Sequence, residues 1–285
     1  MDDVLTIDEP TTDGLVDALI EELERLPAQP SIAMRVVWIA DDPHSSAKDL
    51  GAAIAADPSL TARLLKLANS AYYGLSGRVA NVGFAVTVIG FPTVRAMAAA
   101  TASGLFDSGT SPAAPPGFWE HAVSVATACS TLADRIGIRA ADAFSLGLLH
   151  DLGSALLFRS DAERFAGVVE RSKAERIPLS LLERQTFGIA HDDAAARVFA
   201  AWRFPEDFVI AVGSHHGVPD AQDNPFARLL HAGEAVVARI GGAPWWELAG
   251  HRDDGLAGLG ITQVDATVLA RQVKDDAAHL LRAFS

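Results

Sequence analysis

Cysteine is nearly absent from this chain of 285 residues, with Cys129 as its only example. That excludes an internal disulfide framework and any zinc site built on several thiolates. Basic residues are also scarce, with 23 Lys and Arg against 36 Asp and Glu for a net charge of −13. A chain this acidic repels phosphate backbones, so sequence-independent nucleic-acid binding is not expected. Apolar runs are short, and none reaches the roughly 18 residues of a membrane-spanning helix. The opening MDDVLTIDEP is acidic and has no apolar stretch of the kind a signal peptide needs. What is abundant is apolar side chain, at 49% of the residues with 21% charged, the balance of a packed globular protein. The expectation is a soluble, cytoplasmic protein with no membrane association.

Alternating apolar patterns are scarce, whereas helical spacing recurs along most of the chain. An acidic tail is expected over residues 1–18. Leu15, Leu19, Leu23 and Leu26 recur at helical spacing before Pro27. A second helix is expected over 32–40, broken by DDPHSS. Ser46 and Asp49 have the spacing of a capping box, and Asp57-Pro58 sets an N-cap acid before a first-turn proline. VANVGFAVTVIG suits either a short helix or a strand. The Pro/Gly-rich DSGTSPAAPPG, residues 107–117, reads as a linker. Beyond it, helices are expected near 118–136, 142–158, 161–175, 178–187, 190–202, 206–214, 225–240 and 263–283. The fold class is therefore all-α, with two helical lobes of about 19–106 and 118–240, and a C-terminal loop and helix over 241–285.

The informative residues are histidines with acidic neighbours. His150-Asp151 lies in SLGLLHDLGSALLF, expected as one helix with a broad apolar surface. Two such side chains are costly to bury unpaired, so they require a metal ion or a hydrogen-bonded partner. His215-His216 closes an apolar helix, His121 and His191 open two others, and Glu234 sits on a fourth. Imidazole with carboxylate suits Fe, Mn, Zn or Ni, and a bridging carboxylate favours a two-metal site that activates water toward a phosphate ester. Any single histidine fills a core or surface role more often than it ligates, and the spacing alone is not specific. His44, His231, His251 and His279 lack such a partner pattern and are expected as surface or capping residues. Cys129 is expected to be an inert core thiol, and Trp245-Trp246 an anchor for the last helix. Arg63, Lys66, Arg78 and Arg95 are spread through the first lobe and could line a basic face.

Several motifs in order resemble one family. Leu26, Pro27 and Pro30 form its opening, Asp57, Pro58 and Leu60 its next helix start, and Asn69, Ser70, Tyr73 and Gly74 the end of that helix. WEHAVSVA, GLLHDLGSALL and ERQTFGIAHDDAAARVFAAWRFPEDFVIAVGSHH continue the likeness. The chain resembles the HDOD domains, HD-related output domains of bacterial signalling proteins, over residues 19 to about 217. The resemblance implies two helical lobes, the second an HD-like helical bundle related to HD and HD-GYP phosphohydrolases. It implies a divalent transition metal held by His121, His150, Asp151, His191, His215 and His216, with Glu234 near the place of a late aspartate. Ser154 stands where many HD-GYP enzymes carry a lysine, and no Gly-Tyr-Pro element follows His216. The resemblance therefore implies a stand-alone, non-catalytic signalling adaptor working through a protein partner, responsive to metal or nucleotide. The alternative it leaves is a metal-dependent phosphohydrolase of a nucleotide or cyclic dinucleotide.

Overall fold

The computed structural model describes residues 32–75, 77–106, 112–216, 224–241, 256 and 259–284. The expected helix near Leu15, the tail, His251 and Trp245-Trp246 lie outside these residues, as do residues 107–111 of the expected linker. Among the described residues there are helices and no strands.

Among the described residues the first five α-helices are α1 Ile32–Asp41, α2 Ala47–Ile54, α3 Pro58–Ala68, α4 Val82–Ile89 and α5 Phe91–Ala102. Local chemistry sets their starts. Ser46 and Asp49 close a reciprocal capping box on α2, and Asp57 accepts the Ser59 and Leu60 amides at the start of α3. The ambiguous VANVGFAVTVIG becomes α4, because Asn81 accepts the Phe84 amide and caps it. Apolar residues on consecutive turns then favour burial as a helix over pairing as an isolated strand.

The remaining helices are α6 Phe118–Leu132, α7 Ala140–Leu149, α8 Leu152–Ser160, α9 Ala162–Glu175, α10 Leu179–Phe187, α11 His191–Ala201, α12 Glu206–Gly213, α13 Pro225–Arg239 and α14 Gln263–Phe284. One correction concerns the expected helix over 142–158. The chain breaks at His150-Asp151 into α7 and α8. Asp151 is the N-cap residue of α8 (φ −96°, ψ 14°), yet its carboxylate makes no capping hydrogen bond. The carboxylate is turned to the histidines, as described below.

Buried apolar side chains form one continuous core, from Met34 in α1 to Leu280 in α14. Helix α6 is central to it, packing against α7, α13 and α14, while α5 joins α1 to α7. Two glycines permit the closest crossings. A Cβ at Gly147 would lie 2.6 Å from the Ala126 backbone, and one at Gly153 would lie 1.9 Å from the His191 carbonyl oxygen. These approaches bring α7 onto α6 and α8 onto the start of α11, which is where the histidines are.

Arg95, 6% exposed, fastens α5 to α1 and to the loop after α11. Its guanidinium reaches Asp41 Oδ1 at 2.5 Å, donates to the carbonyls of Arg203 at 2.7 Å and Trp202 at 3.3 Å, and lies over the Phe204 ring. It is therefore spent inside the fold, which removes it from the basic face considered with Arg63, Lys66 and Arg78. Cys129 is buried, and burial raises its thiol pKa, as an inert core residue requires.

Candidate metal centre

Five segments of the chain deliver the polar residues to one place. His121 comes from the first turn of α6, His150 and Asp151 from the α7–α8 junction, and His191 from the start of α11. His215 and His216 follow α12 in a turn rather than ending the helix itself, and Glu234 projects from α13. Breaking the helix at His150-Asp151 gives two adjacent side chains a shared target that an unbroken helix would direct apart.

All seven residues singled out from the sequence converge, around Asp151. Its Oδ2 lies 3.5 Å from Nε2 of both His121 and His150. Its Oδ1 faces the other way, 3.3 Å from His215 Nε2 and 3.7 Å from His191 Nε2. Glu234 Oε1 completes the first half, 2.7 Å from His150 Nε2 and 3.2 Å from His121 Nε2. His216 completes the second, its Nε2 2.5 Å from that of His191. One half is thus His121 and His150 beside one carboxylate oxygen with Glu234 against both imidazoles, and the other is His191 and His215 beside the second oxygen with His216 against His191.

Backbone and carboxylate acceptors orient the imidazoles. His150 Nδ1 lies 2.8 Å from the Gly147 carbonyl and His215 Nδ1 2.6 Å from that of Val212. A carbonyl only accepts, so Nδ1 carries the hydrogen and Nε2 is directed inward as a ligand atom. For His191 the acceptor is Glu183, a residue the sequence reading missed. Its Oε2 takes the His191 backbone amide at 3.0 Å and stands 2.5 Å from Nδ1. Glu183 is fully buried. The one signal in the sequence is a glutamate one turn before the Phe187-Gly188 helix end, eight residues ahead of the histidine that opens the next helix.

Buried carboxylates and imidazoles set one another's charge state here. Burial pushes the Asp151 carboxyl upward, but His150, His215, His121 and His191 outweigh it and hold it well below the usual carboxylate range. Glu234 is likewise raised by burial and lowered further by His121 and His150. Burial depresses His191, yet Glu183, Asp151 and Asp192 more than reverse this and hold it at about 10. His215 is lowered, chiefly by burial.

These residues fit a metal ion. Both Asp151 oxygens are buried without a hydrogen-bond partner, an arrangement costly in a protein interior unless something else satisfies them. Ligand atoms of Asp151, His191, His215 and His216 lie within 4.8 Å of one another, as do those of His121, His150 and Asp151. Imidazole and carboxylate donors with no thiolate suit a divalent transition ion. Such an ion would supply a fixed positive charge and Lewis acidity at the centre. Glu183 is then the outer carboxylate that orients a ligating imidazole and raises its basicity.

The model of the HDOD domain matches residues 26–218. The chain belongs to the HDOD family. Among solved structures, this HDOD protein is similar to an HDOD domain protein of unknown function from Geobacter sulfurreducens, with a TM-score of 0.64 and 23% identity over 94% of this chain and 95% of the other. It also resembles a structure from Shewanella amazonensis SB2B provisionally described as a phosphohydrolase, with a TM-score of 0.69, 24% identity, and 94% and 98% of the two chains covered. These likenesses establish the all-helical fold. A curated relative, an uncharacterized protein of Treponema pallidum (strain Nichols), is 25% identical over 214 residues. The match takes in 74% of this chain but only 42% of that longer protein.

Among the described residues no single helix is long and apolar enough to cross a membrane. The apolar pair α4 and α5 is bent by 110° and is packed into the core.

Proposed function

We propose that this HDOD protein is a cytoplasmic signalling output module. In this reading it acts through a protein partner, without catalysis, and its metal centre serves to hold or switch the helices. The observation that carries it is the depth of the cluster. His191 is 0% exposed, His150, Asp151 and His215 1%, His121 2% and Glu234 6%, with only His216 half-buried at the edge of the cluster. Donors so buried retain an ion well and admit a phosphate ester poorly. Ser154, at the position where the resemblance leads one to look for a lysine acid, is itself fully buried and has no charge to give.

The test is metal analysis and turnover on one sample. Protein purified without oxygen is expected to contain a divalent transition metal and to leave cyclic di-GMP intact. Appreciable, metal-dependent hydrolysis would overturn the non-catalytic reading. It would favour the second reading, a metal-dependent phosphohydrolase, whose support is the placement of Asp151 with one oxygen toward each set of histidines. A flat response to added RNA or DNA at low salt is expected under both readings.

A further inference from the structure

Away from the histidines, a cleft of about 470 Å³ opens where the α1–α2 loop meets the beginnings of α5, α7, α12 and α13. That volume accommodates a small molecule and is too small for a docked helix. None of the seven cluster residues lines it. Its apolar wall is aromatic, formed by Phe91, Phe204, Phe208 and Phe226, of which Phe91 and Phe226 are only half-buried.

The charges around the cleft leave a negative remainder. Asp41 is answered by Arg95. Asp142 is answered by Arg139, which reaches it from Nε at 2.6 Å and from a terminal nitrogen at 3.0 Å. The third lining carboxylate, Asp42, is exposed and accepts only the His44 backbone amide at 2.9 Å. Among the described residues, no cation pairs with Asp42. The helix starts nearby do not invite an anion either, because α7 carries Asp142 in its first turn and α12 carries Glu206 and Asp207. The fold itself shows a cation accepted by the wall, since the Arg95 guanidinium stands 3.9 Å from the Phe204 ring centroid.

We infer that this cleft binds a small organic cation, an ammonium or guanidinium group on an apolar body, with Asp42 answering the charge and the phenylalanine rings taking the body. The inference is independent of the metal centre and of whether the protein hydrolyses anything.

The experiment is titration calorimetry on the full metal-loaded chain with benzyltrimethylammonium, phenethylguanidine, phenylacetate and benzyl alcohol. The two cations are expected to bind, and phenylacetate is expected to bind at least ~10-fold more weakly. Asp42→Asn retains the oxygen that accepts the His44 amide while removing the charge. It is expected to weaken the cations by ~5-fold and leave benzyl alcohol unchanged. Phe226→Ala, checked for an unaltered circular dichroism spectrum, is expected to weaken all ring compounds. Equal binding of phenylacetate, an Asp42→Asn protein that binds the cations unchanged, or no cation binding at ~10 mM would each overturn the assignment. Binding of an arginine-containing peptide with both small cations inert would overturn it as well.

Discussion

The Glu183 carboxylate holds His191 by two of its N–H groups, the backbone amide at 3.0 Å and the ring Nδ1 at 2.5 Å. The pair is sealed, with both residues at 0% exposure. Glu183→Gln would keep the shape and lose the charge that makes His191 a strong donor. Affinity for the ion on the His191, His215 and His216 side is expected to fall ~10- to 100-fold, read by competition with a calibrated chelator. Unchanged affinity would reduce Glu183 to a helix-packing residue.

Asp151 faces both halves of the cluster, so its loss should differ in kind from that of Glu234. Asp151→Asn is expected to deplete metal from both halves, whereas Glu234→Gln depletes only the half with His121 and His150. Elemental analysis per chain distinguishes the two patterns. Full loading of the Asp151→Asn protein would contradict the arrangement described here.

Gly153 tests the packing that assembles the centre. An added methyl would lie 1.9 Å from the His191 carbonyl oxygen, a backbone atom that cannot swing away. Gly153→Ala is expected to cost about 3 kcal/mol in denaturant unfolding, through forced separation of α8 from α11. It is also expected to weaken metal binding without altering any ligand. An equally stable variant would mean that the two helices separate freely.

Arg95→Lys is expected to destabilise the protein by about 2 kcal/mol despite preserving the charge, because a lysine cannot serve Asp41 and the Trp202 and Arg203 carbonyls together. Chemical denaturation measures it. A lysine variant as stable as the parent would show that the fork geometry is dispensable.

The chain's two tyrosines give a clean alkaline probe. Burial raises the phenols of both Tyr72 and Tyr73, with their neighbours acting less strongly. A raised phenol favours the neutral, folded form. This stabilisation is fully present below the ordinary value of about 10 and is lost as pH rises beyond it, where the unfolded chain ionises first. Absorbance near 295 nm is therefore expected to rise together with loss of helical circular dichroism. Titration of both phenols near pH ~10 in an intact fold would show that they are solvated.

The residues that made the site legible were those whose type is costly to bury. His121, His150, Asp151, His191, His215, His216 and Glu234 stood out in apolar surroundings, and the fold brings them together. Capping chemistry made the starts of α2 and α3 legible in the same way, since Ser46, Asp49 and Asp57 act within three residues of themselves. The break at His150-Asp151 was not legible, because the apolar period runs straight across it and only the tertiary demand on Asp151 interrupts it. Glu183 was hidden for a related reason. Its role depends on α10 folding back beside His191, and a glutamate placed between Leu182 and Phe187 gives only a faint mark of that. The cleft is assembled from five separate segments and has no motif at all.

Helices α7, α12 and α13 each begin at the cleft and run to the cluster: Asp142 and Ser145 lead to His150, Phe208 to His215, and Phe226 to Glu234. Thermodynamic reciprocity then fixes a relation between the two places: the factor by which metal loading changes a cleft ligand's dissociation constant equals the factor by which that ligand changes the metal's. Measuring either one therefore determines the other.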